Sequence, residues 1–289
     1  MNKVNSSKAR FCVQVIIVLL TVGLVRAQGN QSTFCIDLTS RKRVTEVPVF
    51  KSYDNVYNPT IQVFIPDGNQ INRRAVLICP GGGYSMVTSG YEGSDWANYF
   101  NGIGIVGVVL KYRLPKGNGK IPVGDAGAAL MMLKDSAKVW KINPDDIGIM
   151  GFSAGGHLAS TVATHASDQL RPRFQILFYP VITMDKSFTH IGSHDNFLGS
   201  LANPESEDLY SNEKQVTANT PQAFIAFAAD DRIVAPANGI KYFQALTDKG
   251  VPAALHIYPT GGHGWDFSKH YKYQKEILLE LASWLEDTK

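Results

Sequence analysis

A serine flanked by glycines stands in the segment Gly151-Phe152-Ser153-Ala154-Gly155-Gly156. The apolar run Ile147–Met150 precedes it and His157-Leu158-Ala159-Ser160, a helical run, follows, so the G-x-S-x-G pattern falls on a strand–turn–helix junction. Side chains beside the serine would collide with backbone in so tight a turn, and glycine removes them, leaving the hydroxyl above a sheet. Without help that hydroxyl is a poor nucleophile at neutral pH, so a base and an orienting acid should lie downstream. Two loops offer them. Ala229-Asp230-Asp231-Arg232-Ile233-Val234 follows the apolar run Ala223–Ala228, and Thr260-Gly261-Gly262-His263-Gly264-Trp265 follows Leu255–Pro259. Adjacent aspartates point different ways, and residue type alone leaves either Asp230 or Asp231 as the acid. A glycine-rich turn can also cradle phosphate at a helix N-terminus, but no Walker-type lysine follows this one.

A tetrahedral intermediate also needs hydrogen-bond donors for its negative oxygen. Cys79-Pro80-Gly81-Gly82-Gly83-Tyr84 ends another apolar run, and the amides of Gly82 and Gly83, with that of Ala154 at a helix start, are the candidates. Tyr84, Tyr91, Glu92 and Trp265 flank these loops and are candidate substrate-binding residues, the aromatics as faces on which sugar rings stack. His190-x-x-x-His194-Asp195 has a metal-like spacing, yet Gly192 argues against the helix that would align the two imidazoles, so no metal is assigned. His157, Asp125 and His165 read as structural.

These loops must be held by elements, and the chain supplies an alternation of short apolar runs and helical stretches from Val44 onward. Thr60–Ile65 alternates polar and apolar residues like a half-exposed antiparallel strand. Ala75–Cys79, Ile103–Leu110, Ile147–Met150, Phe174–Tyr179 and Ala223–Ala228 are continuously apolar, as strands covered on both faces are. Helices are expected near Ser94–Asn101, Val123–Trp140, Ala154–His165, Pro236–Lys249 and His270–Glu286. Val181–Pro221, rich in Ser, Asn, Asp and Gly, lacks an obvious regular pattern and reads as a lid-like insertion at about 181–221. With 289 residues, 44% of them hydrophobic and 18% charged, and no internal repeat or linker, the chain predicts one α/β domain over 28–289.

Residues 1–27 carry Lys3, Lys8, Arg10 and Arg26 around an apolar run of about 15 residues, short for a membrane span, and end in Val25-Arg26-Ala27. That is the pattern of a cleaved signal peptide and of a secreted or periplasmic protein. Its removal takes four cations and no acid, so the 28 lysines and arginines fall to 24 against 25 acidic residues. Near neutrality, the remaining chain offers no basic surface for nucleic acid and no membrane attachment. Cys35 and Cys79 remain after cleavage; spacing cannot decide whether they pair, and the apolar run ending in Cys79 favours free thiols.

Taken together, the blocks Cys79–Tyr84, Tyr91-Glu92-Gly93, Lys111-Tyr112-Arg113-Leu114-Pro115, Gly151–His157 and Tyr258–Gly264 resemble, in order, those of the α/β-hydrolase superfamily. Within it they resemble the secreted esterase group that includes acetyl xylan esterases and related carbohydrate esterases. The resemblance implies an α/β-hydrolase fold, with a mostly parallel central sheet, helices on both faces and a partial lid. It also implies a serine carboxylester hydrolase with Ser153, Asp231 and His263 as triad, the acid being placed by the turn Asp231-Arg232-Ile233-Val234. No cofactor is called for, and the implied partner is an acylated carbohydrate of xylan type. Pro80 stands where lipase-like relatives carry a histidine. A lipase, a short-chain esterase of other substrates, an exported serine peptidase and a non-catalytic carbohydrate-binding relative stay open at this point.

Overall fold

A computed structural model describes residues 32–44, 58–67, 71–199, 202–265, 267 and 271–288. The signal-peptide segment 1–27 and the expected helix start at His270 lie outside the described residues. Among the described residues, nine strands form one sheet: β1 (Ser32–Asp37), β2 (Lys42–Val44), β3 (Thr60–Ile65), β4 (Ala75–Cys79), β5 (Val106–Lys111), β6 (Ile147–Phe152), β7 (Phe174–Phe178), β8 (Gln222–Ala228) and β9 (Ala253–Tyr258). Their spatial order is β2-β1-β3-β5-β4-β6-β7-β8-β9, antiparallel as far as β3–β5 and parallel from β5 onward. The sheet begins earlier than the patterning from Val44 suggested, because β1 pairs along its whole length with β3 and buries Cys35 and Ile36. Both Cys35 and Cys79 are buried free thiols.

Helices α1 (Asp95–Gly102), α2 (Lys120–Asp135), α3 (Ala137–Trp140), α4 (Ser153–His165), α7 (Ala237–Asp248) and α8 (Gln274–Asp287) return the chain between strands or close it. Successive residues of a strand point to opposite faces. On β6, Gly151 meets α4 at Gly155 while Phe152 packs on Trp96 of α1, so these helices cover opposite faces. α2 starts earlier than expected because Pro122 lies in its first turn, where the missing N–H would have had no helical partner.

Val181–Pro221 is more regular than its composition suggested. It holds α5 (Ile191–Leu198), α6 (Pro204–Leu209) and a 3₁₀ turn at Asn212–Lys214. The polar residues that read as irregular are helix caps: the His190 side chain accepts from the Ser193 amide, and Asn203 and Ser206 form a capping box on α6. Asn212 is buried against Ser160 and Thr161 of α4, which anchors the segment to the core.

Register is what assembles the site. β4 is followed by a helix that leads to β5 on one side, and β6 by one that leads to β7 on the other, so β4 and β6 flank the crevice where an open sheet of this kind takes ligands. Cys79 pairs with Gly151, which brings the loop after β4 beside the turn after β6. Ala228 pairs with Tyr258, which does the same for the Asp230–Asp231 and His263 loops.

Candidate active site

Ser153 is the first residue of α4 and has φ 51°, a left-handed value that a non-glycine residue adopts at a cost of about 1–3 kcal/mol. The surrounding packing holds it there. A Cβ on Gly155 would lie 2.1 Å from the Cys79 carbonyl oxygen, one on Gly151 would lie 2.2 Å from that of Gly155, and one on Gly156 would meet Pro180 at 2.6 Å. Glycine at these positions lets α4 approach the backbone of β4, β6 and the turn after β7.

The Ser153 hydroxyl is 2.8 Å from His263 Nε2, and His263 Nδ1 is 2.7 Å from Asp231 Oδ2. The other Asp231 oxygen accepts the amides of Ile233 (2.9 Å) and Val234 (3.0 Å), so its own turn fixes the carboxylate. This arrangement orients Nδ1–H toward the buried acid and leaves Nε2 as acceptor for the serine proton. Asp230 is exposed and serves the neighbouring loop instead, accepting the Gly262 amide at 2.8 Å. Of the adjacent aspartates, Asp231 is the one that meets His263.

Across from Ser153, successive peptide planes of the Gly81–Gly83 loop are anchored through their carbonyls. Tyr112 Oη donates to Pro80 O (2.7 Å), the Thr88 amide to Gly81 O (3.1 Å), and the Ser85 and Met86 amides to Gly82 O (3.0 and 3.1 Å). In a trans peptide the N–H points opposite to the preceding carbonyl, so fixing the Gly81 and Gly82 carbonyls fixes the Gly82 and Gly83 amides. The Gly81 amide is already taken by Glu92 Oε2 at 2.8 Å. On the elbow side, Ser153 O accepts the Val181 amide at 3.0 Å, which orients the Ala154 N–H at the positive end of α4.

Three of the candidate substrate-binding residues are in other work. Tyr84 is buried, its hydroxyl 2.8 Å from His157 Nδ1 and its ring against Phe197. Glu92 is buried beneath the Gly81 loop, and Trp265 stacks on Tyr271 at 4.4 Å while donating to Gly262 O. None of the three presents a free face to a sugar: His157 and Phe197 cover Tyr84, the Gly81 loop covers Glu92, and Tyr271 stacks on Trp265. Tyr91 is half-buried with its hydroxyl 3.7 Å from where a Gly264 Cβ would lie, beside the His263 loop.

α5 forms despite Gly192, but His190 and His194 do not converge. His190 Nδ1 turns back to Ser193, whereas His194 is held by Asp195 (2.8 Å) and Glu207 (2.9 Å). His190 instead overlooks the oxyanion loop, its Cε1 3.7 Å from the place of a Gly83 Cβ; burial and the nearby His263 lower its pKa. Asn196, from the same helix, donates to Gly83 O at 2.8 Å. Tyr179 and Asn196 carry no motif in the sequence, and Tyr112 lies in the Lys111–Pro115 block without any sign of what it holds; their partners Glu92, Gly83 O and Pro80 O reveal them.

A family model described as alpha/beta hydrolase fold matches residues 76–267, a span that includes Ser153, Asp231, His263 and the Gly81–Gly83 loop. The chain is 45% identical over 226 residues to an acetylxylan esterase of Xylanibacter ruminicola, covering 77% of this chain and 47% of that one. It is 34% identical over 235 residues to endo-1,4-beta-xylanase B of Butyrivibrio fibrisolvens, covering 73% and 36%. The chain therefore spans about half, and about a third, of the lengths of these relatives. Among solved structures it is similar to the acetyl ester-xyloside bifunctional hydrolase of Caldicellulosiruptor lactoaceticus, with a TM-score of 0.77 and 32% identity over 88% of this chain and 95% of that one. The chain therefore belongs to the alpha/beta hydrolase fold family.

Proposed function

We propose that the protein is an exported serine carboxylester hydrolase that removes acetyl groups from xylan-type polysaccharide or oligosaccharide. The observation that carries the reading is the continuous Ser153–His263–Asp231 hydrogen-bond chain, for which the amides of Gly82, Gly83 and Ala154 are the oxyanion donors in this reading. Ser153 Oγ attacks the ester carbonyl and its proton passes to His263 Nε2, while Asp231 holds the imidazolium through Nδ1. The oxygen that becomes negative turns to the three backbone amides, each worth about 3–4 kcal/mol in such sites. Collapse expels the sugar alkoxide, which takes the proton from Nε2. Water then enters, gives a proton to Nε2 and attacks the acyl-enzyme; acetate leaves and Ser153 regains its proton.

The acetyl assignment draws on the similarity to an acetylxylan esterase and on where apolar space lies. An apolar cavity of about 450 Å³ exists, but Leu38, Val123, Met131 and Leu170 line it, between the β1–β2 turn, α2 and the region after α4. It includes no residue of the triad or its loops, so it offers the attacked ester no long acyl groove.

Acetate release from acetylated xylan and xylo-oligosaccharides, measured beside p-nitrophenyl esters of rising chain length and triglycerides, tests the reading. Acetylated sugars and short esters should be turned over, and Ser153→Ala should lose at least about 10⁴-fold in kcat. Preference for long chains with acetylated sugars untouched would overturn the substrate assignment. Export is tested by N-terminal sequencing of the secreted protein, which should begin at Gln28; a retained Met1 would contradict it.

A further inference from the structure

Glu92 is a buried carboxylate to which the triad chemistry gives no part. Its Oε2 accepts the Gly81 amide at 2.8 Å and the Thr88 hydroxyl, and its Oε1 accepts the Tyr179 hydroxyl at 2.9 Å. The Tyr179 ring in turn lies edge-on to the His263 imidazole, with centroids 4.7 Å apart. One side chain thus ties the loop that presents the oxyanion donors to the ring that supports the base. We propose that Glu92 is the positioning residue of this site, holding the Gly81–Gly83 loop through the Gly81 amide and bracing His263 through Tyr179 while placing a second negative charge beside the imidazole. The proposal rests on the reading of Ser153 as an acyl-transfer nucleophile.

Three donors, the Gly81 amide and the Thr88 and Tyr179 hydroxyls, suit the ionised carboxylate. Burial raises its pKa, while Thr88, Tyr179, Gly81 and His263 oppose that shift. The titratable groups facing Glu92 are Tyr179, Tyr112 and His263. Among the described residues, those facing His263 include Asp231 at Nδ1, the Tyr179 ring at 4.7 Å, Glu92 behind it, and His190 across the loop. An anion near an imidazole favours its cation, so the Glu92 charge should register in the pH profile of turnover.

Glu92→Gln isolates the charge. The amide oxygen can still accept from Gly81 and Thr88, and the amide N–H₂ meets the Tyr179 oxygen, which can accept. With p-nitrophenyl acetate, kcat should fall roughly tenfold with KM within about threefold, and the acid limb of kcat/KM should move down by roughly half a pH unit or more. Thr88→Val, which removes a neutral donor, should leave that limb in place. An unmoved acid limb in folded Glu92→Gln would overturn the proposal, whatever the loss in melting temperature. If Glu92→Gln does not fold, Tyr179→Phe decides: the ring stays against His263 but its tie to Glu92 is cut, and an unchanged kcat would contradict the bracing role. Failure of the underlying reading looks different, since the wild-type protein itself would then show no serine-dependent turnover.

Discussion

Two glycine-rich turns face each other across the site, and their shapes are held by different means. At the elbow around Ser153, contact sterics dominate: side chains at Gly151, Gly155 and Gly156 would each fall within 2.6 Å of another residue's atoms. The Gly81–Gly83 loop is sterically tight as well, a Cβ on Gly82 falling 2.4 Å from Met86 O, but side-chain hydrogen bonds from Tyr112, Glu92 and Asn196 add anchors from outside the turn that the elbow lacks. A sterically enforced turn is written into its own few residues. One held by hydrogen bonds depends on residues scattered along the chain, and it can be loosened by degrees. Both turns are visible as motifs, but the distant anchors of the second are not.

Gly155→Ala should do the most damage, because the new methyl would overlap backbone oxygens of Cys79 and Pro80 at 2.1 and 2.3 Å, neither of which can move without moving β4 or its loop. A loss of about 3 kcal/mol or more in denaturant unfolding is expected, with activity falling alongside. Gly127→Ala is the control: this helical glycine has open space around it, and the change should be neutral or slightly stabilising. Equal effects from the two would break the steric account of the elbow.

His157 links the two turns. Lying on α4 four residues past Ser153, it takes the Tyr84 hydroxyl at Nδ1 and meets Tyr210 O through Nε2 at 2.8 Å. Burial pulls its pKa from 6.5 down to about 4, so the folded protein keeps the ring neutral where the unfolded chain would already be charged. Between those values the unfolded state binds more protons, and stability rises with pH. The contribution is therefore complete above about pH 6.5 and is lost as pH falls toward 4, up to about 3 kcal/mol in all. Urea midpoints from pH 4 to 7 should show this slope, and His157→Gln should flatten it; an unchanged slope in the variant would assign it to other groups.

Tyr112→Phe should act more gently and on the other turn. It removes the 2.7 Å bond to Pro80 O and leaves a buried carbonyl without its donor, a loss of about 1–3 kcal/mol. The anchored Pro80–Gly81 peptide lies one plane before the oxyanion donors, so if slack there passes to the Gly82 and Gly83 amides, kcat should drop roughly tenfold while KM stays within about twofold. A stability loss with unchanged kcat would show that the loop holds its shape without this anchor.

The same contrast explains what was legible in the sequence. Ser153, the two loops carrying Asp231 and His263, and the strands beneath them are local patterns, and the register of β4 with β6 and of β8 with β9 draws them together. Glu92, Tyr84 and Trp265 looked like substrate contacts because they flank the catalytic loops in the chain, yet all three are buried supports. Nothing in their spacing separates a side chain under a loop from one above it. α5 and α6 were hidden because His190 and Asn203, which read as loop residues, cap the helices that follow them. Tyr179 shows the limit most clearly, since its importance comes from Glu92, 87 positions earlier in the chain.

Whether His263 activates Ser153 as a nucleophile can be tested by covalent labelling without any assumption about substrate. A fluorophosphonate, which phosphonylates activated serines with loss of fluoride, should add one equivalent to the folded wild-type protein. Peptide mass spectrometry should place the adduct on Ser153, and His263→Ala should slow labelling by at least about 10³-fold. No adduct, an adduct on another serine, or equally fast labelling without His263 would contradict the account.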